Sequence, residues 1–136
     1  MTAPPITFAM SRPDWLLDHR WTLKQTSVVT DIPQGTITHW CGVASLLGFD
    51  LIITRKHRRL FTAHGVFVLA ILAALTRAGV TISAGVIEQV LNVTHKDGEP
   101  ILPNLMDQMH LVEAYVTTEV ELSLIWQKVE VDLANV

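Results

Sequence analysis

A five-residue break, Asp31-Ile32-Pro33-Gln34-Gly35, stands between two stretches whose apolar spacing reads as short helices. Pro33 disfavours helical geometry at the residue before it, so no single helix can run through Ile32. Upstream, residues 22–30 predict a first helix. Thr22 followed by Gln25 matches a capping box, in which each side chain satisfies a backbone N–H at the helix start. Leu23, Val28 and Val29 are the positions expected to face inward. Downstream, residues 34–47 predict a second helix, with Ile37, Trp40 and Cys41 at i, i+3, i+4 and Ala44 one turn further on. Two short helices about a tight turn make a helix-turn-helix geometry.

The next segments change period. Residues 51–54 and 59–62 are β-prone and flank a charged tip, which predicts a small hairpin. Arg55, Lys56, Arg58 and Arg59 put four of the ten Lys and Arg residues within five positions, with His57 among them. A third helix is expected over residues 63–78, stopping at Gly79 as a C′ residue. Its run 66–75 is wholly apolar, but ten residues fall well short of the roughly 20 that a membrane span needs, so it reads as a buried core helix. A fourth helix, capped by Thr81 or Ser83, extends to about residue 92 on the stripe Ile82, Val86, Ile87, Val90 and Leu91. Before all of these, residues 1–20 form a Pro-rich arm in which Trp15, Leu16 and Leu17 tuck a turn onto the core. The arm lacks the basic start and apolar run of a secretory signal.

Net charge is −3, yet it is unevenly spread. Residues 1–96 hold nine basic residues against five acids, a net +4, while residues 97–136 hold Lys128 against eight acids, a net −7. Attraction to phosphates acts over a Debye length of about 8–10 Å, so the local excess counts rather than the total. The fold class expected is mainly α with small β. Domain limits fall at 1–20 (arm), 21–95 (basic module) and 96–136 (acidic module). Within the last, residues 119–127 alternate apolar and polar except at Ile125, which favours a strand with a bulge or turn at Gln127-Lys128 where the phase flips. A helix is the competing reading, so the C-terminal segment is expected to be β-rich.

The ordered set WTLKQTSVVTDIPQGTITHW, RRLFT and AHGVFVLAILAALTRAGVTISAGVIEQVL resembles the winged helix-turn-helix DNA-binding domain of MerR-type regulators, with relatives among phage excisionases and repressors. The resemblance covers residues 21–92. It implies duplex DNA as the partner, contacted by Thr22, Lys24, Gln25, Gln34, Gly35, Thr38 and His39 of the helix-turn-helix. Arg55, Lys56, His57, Arg58 and Arg59 form the wing. Gln can bond adenine through two hydrogen bonds, Thr can meet a thymine methyl, and basic wing residues release counterions from phosphate. The long dimerisation helix of such regulators has no counterpart after residue 92, so their dimer geometry does not carry over.

The function expected is therefore a sequence-specific, double-stranded DNA-binding transcriptional regulator, cellular or phage-type, located in the cytoplasm at the nucleoid. A second half-site raises the expectation of a homodimer. The acidic end is a dimerisation surface or a docking surface for RNA polymerase or another regulator. Two alternatives share the fold: a protein-interaction module such as a recruiter or antirepressor, and an architectural, excisionase-like DNA bender. No enzyme, cofactor, metal or membrane partner is expected. The histidines at 19, 39, 57, 64, 95 and 110 show no i, i+3 or i, i+4 pair; those at 19, 64, 95 and 110 read as surface or capping residues. Cys41 reads as a small core residue. No phosphate-binding Gly loop, nucleophile elbow or paired-carboxylate spacing is evident.

Overall fold

A computed structural model describes residues 13–102, 108–113 and 116–136. The first twelve residues of the expected arm, and residues 103–107 and 114–115 of the acidic segment, lie outside the described residues. The described chain is mainly helical with small antiparallel sheets. In order it forms β1 (Trp21–Thr22), α1 (Leu23–Thr30), α2 (Gln34–Leu46), β2 (Ile52–Arg55), β3 (Arg58–Phe61), α3 (Ala63–Arg77) and α4 (Ala84–Thr94). Then follow β4 (His95–Lys96), β5 (Glu99–Pro100), β6 (Gln108–Glu113), β7 (Val116–Glu121) and α5 (Leu122–Ala134).

The capping box forms as its spacing requires. Thr22 Oγ1 accepts from the Gln25 amide at 3.2 Å, and Gln25 Oε1 accepts from the Thr22 amide at 2.9 Å. The inward face of α1 differs from the expected one. Val28 is 66% exposed, whereas Thr26 and Thr30 are buried. Threonine can occupy that face because its hydroxyl bonds back to the preceding turn, Thr26 to Thr22 O at 2.9 Å and Thr30 to Thr26 O at 2.8 Å. The buried set thus keeps helical spacing with polar residues in it. Asp31 closes α1 in the left-handed region (φ 56°), and Pro33 then precedes α2, whose Ile37, Trp40, Cys41 and Ala44 are all buried.

The structure centres on α3. Every residue from 63 to 73 is buried, and so is Leu75, because α1, α4 and α5 all pack against this helix. Thr62 starts it by accepting from the Gly65 amide at 2.9 Å. Gly79, at φ 90°, ends it, and the Val80 amide returns to Leu75 O at 3.0 Å. Of the two caps offered for α4, Ser83 is the one used: its side chain accepts from the Val86 amide.

Three strands form one antiparallel sheet in the order β1-β3-β2. Trp21 lies opposite Phe61, Ile53 opposite Leu60, and Arg55 opposite Arg58. Lys56 and His57 make the turn, with φ of 49° and 65°. Two successive positive φ values mark the tight turn whose twist matches a right-handed hairpin. Leu16, fully buried, holds the preceding turn onto the core, as expected of that segment.

The C-terminal segment departs from the strand reading. β6 and β7 pair as a hairpin, with Met109 opposite Val120 and Leu111 opposite Thr118. From Leu122 the chain is helical rather than extended, and no bulge interrupts it at Gln127-Lys128. The buried residues Leu122, Trp126, Val129 and Leu133 are spaced by four, three and four, which is a helical stripe. Trp126 lies 6.2 Å from Trp15 in a stacked arrangement and 5.6 Å from Phe67 edge to face. Trp15 in turn meets Trp21 edge to face at 5.8 Å. A continuous aromatic chain therefore ties the N-terminal turn, β1, α5 and α3 together.

Candidate nucleic-acid interface

The hairpin tip sets its cations in water. Arg55, Lys56, His57, Arg58 and Arg59 are all exposed. Among the described residues, none of the four Lys and Arg side chains joins an ion pair. Arg55 faces Arg58 directly across the ladder. Like charges at opposed positions oppose strand pairing, so this arrangement costs the isolated fold something that a polyanion would relieve.

Arg59 is the exception in one respect. Its Nη1 donates to Thr38 Oγ1 at 3.0 Å, although the two residues are 21 positions apart. That bond joins the hairpin to the first turns of α2. Gln34, Gly35 and His39 are exposed there, while Thr38 is half-buried and engaged by Arg59. Pro33 at the N-cap supplies no side-chain cap, so the first backbone N–H groups of α2 have no side-chain acceptor. A helix start in that condition carries partial positive charge and free donors suited to an anion. The α1 start is different. Thr22 and Gln25 are occupied with capping each other, and Lys24 beside them is exposed without an ion pair among the described residues.

The sequence-predicted site residues thus fall into groups. The structure brings Arg59 and Thr38 into contact, and Thr22 and Gln25 into contact. Among the described residues, no side-chain hydrogen bond or ion pair links Lys24, Gln34 or His39 to the tip residues. Comparison with known protein families, with curated proteins and with solved structures found no match.

Two features near the hairpin were not singled out from sequence. Arg20 precedes β1 and bonds Phe61 O through its amide at 3.1 Å, extending the sheet. Its guanidinium sits 5.5 Å over the Trp21 ring and pairs with Asp18 at 3.0 Å. His19 has its pKa lowered by burial and, after that, by the charge of Arg55. A basic residue beside an aromatic one just before a strand was the available signal.

Cys41 is buried beneath the hairpin, and burial pushes its thiol up to about 12, so it stays protonated and unreactive. Of the histidines expected at the surface or at caps, His64 is instead an interior connector, whereas His95 is the C-cap residue of α4. His64 is buried, and its Nε2–H donates to Thr94 O at 2.8 Å and Ile101 O at 3.1 Å. His95 is half-buried, donates from Nδ1 to Leu91 O at 2.9 Å, and meets the His64 ring at 4.9 Å. Thirty-one positions separate the pair, so no local spacing could have announced it.

Proposed function

We propose that this chain binds double-stranded DNA as a winged helix-turn-helix transcriptional regulator, of cellular or phage type. The observation that carries the reading is the Arg59–Thr38 bond, which joins an unneutralised basic hairpin to an uncapped, exposed helix start. In this mechanism Arg55, Lys56 and Arg58 meet phosphates, with the α2 backbone amides as further phosphate donors. Gln34, Gly35, Thr38 and His39 lie toward base edges, and Arg59 holds Thr38 in place. Phosphate contacts set position and base contacts set sequence preference. A homodimer is part of the proposal, because one small module reads a single half-site.

Fluorescence anisotropy on mixed-sequence duplex DNA, across a salt series, tests it. Three cations on phosphate give a log–log salt slope of roughly −3. The Arg58→Glu/Arg59→Glu variant is expected to lose most of that slope and of the affinity. If the wild type fails to bind duplex at low salt, the reading is overturned, and a protein partner of the acidic end takes its place. Leu124 and Val131, exposed on α5, are the observation that favours this second reading.

A further inference from the structure

One cleft among the described residues belongs to neither the hairpin nor the α2 start. It lies between the end of α1, α3 and α5, with a volume of about 310 Å³. Ala70, Ile125 and Val129 make an apolar floor, and Asp31, Arg77, Lys128 and Asp132 stand around it. Ala70 lies on the floor, so a longer side chain at that point of α3 is expected to intrude on the cleft.

The four charges are not equivalent. Lys128 Nζ and Asp132 Oδ2 are 2.6 Å apart and neutralise each other. Arg77 has a single long contact, from Nη1 to Thr30 O at 3.4 Å, and no ion pair among the described residues. The Asp31 carboxylate likewise joins no ion pair among them, although it lines the same cleft as Arg77. A free cation and a free anion therefore face one apolar hollow without meeting each other.

We infer that this cleft binds a small apolar zwitterion, of the chemical class of an α-amino acid with a hydrophobic side chain. The carboxylate meets the Arg77 guanidinium, which can donate two parallel hydrogen bonds to it. The ammonium meets Asp31, and the side chain covers Ala70 and Val129. A simple anion is disfavoured by Asp31, and a simple cation by Arg77. The size agrees, because small-molecule sites run from about 300 to 1,000 Å³ and this one lies at the lower end. Asp31 also caps α1 three residues before Gln34, so occupancy bears on how α2 is held. That last consequence rests on the DNA reading; the binding itself does not, and calorimetry without DNA separates the two.

The experiment is isothermal calorimetry of the full chain with L-leucine and L-phenylalanine, alongside isoamylamine and 4-methylpentanoate, each of which lacks one charge. At least one amino acid is expected to bind, with both one-charge analogues weaker by about tenfold or more. Arg77→Gln and Asp31→Asn, both at exposed positions, are expected to weaken it to a similar degree with unchanged circular dichroism. Ala70→Leu is expected to abolish it. Should Ala70→Leu fail to fold, the two exposed variants still decide the matter. No heat of binding up to about 10 mM amino acid overturns the inference. Equal binding of the one-charge analogues, or unchanged binding in both exposed variants, overturns it as well.

Discussion

Trp126 shows what one side chain does here. It is 2% exposed, lies between Trp15 and Phe67, and is the point at which α5 meets the central helix. Removing a buried aromatic ring forfeits its transfer free energy and leaves a cavity, typically about 3–5 kcal/mol. Trp126→Ala is expected to lower stability by that order in urea unfolding, and a loss under about 1 kcal/mol means the core closes over the gap. At the same scale some assignments were readable and others were not. Thr22 and Gln25 announced their capping box through spacing alone. Val28 is not legible in this way, because apolarity does not mark the inner face where Thr26 and Thr30 fill it with self-satisfied hydroxyls. His64 and His95 meet through tertiary packing, which a linear spacing rule cannot see.

Among the elements, the hairpin holds the clearest unfavourable charge arrangement. Arg55 and Arg58 are direct cross-strand partners at the tip. Replacing one by an acid turns an opposed like-charged pair into an attractive one, with pairs of this kind contributing about 0.2–1 kcal/mol. Arg58→Glu is therefore expected to raise the melting temperature slightly while weakening duplex binding. A variant less stable than wild type shows that Arg58 is held by contacts within the fold. The hairpin, α3 and α4 were legible because hydrophobic period and punctuation agreed: Gly79 and Ser83 sit where the helices stop and start. α5 was not. From Leu122 to Trp126 the apolar residues, Ile125 apart, lie two apart, which suits a strand, yet Leu122 and Trp126 are also four apart, which suits a helix. Only Val129 and Leu133 break the tie, and the strand reading treated them as a change of phase.

Across the whole molecule, acid is expected to destabilise the fold through neutral histidines. His95 has its pKa lowered by burial, partly offset by its bond to Leu91 O. His19 is lowered by burial and then by Arg55, partly offset by Asp18. With folded values below the unfolded one near 6.5, the unfolded chain takes up protons first as pH falls. Their stabilisation is complete above pH 6.5 and is lost as pH drops through the folded values. The melting temperature should hold steady above about pH 7.5 and decline below about 6.5, with His95→Gln flattening the decline. A profile level down to pH 5, or one rising toward acid, contradicts this.

The burial of α3 on all sides has a bearing on how the chain can be rebuilt. Charge divides at residue 96, but the core does not, since α5 from the acidic half covers Phe67 and its neighbours from the basic half. A fragment ending at residue 96 leaves that face of the central helix wet and sticky. The basic hairpin is thus not a portable cassette. Any graft or shuffled descendant that carries it must also bring a replacement for Trp126.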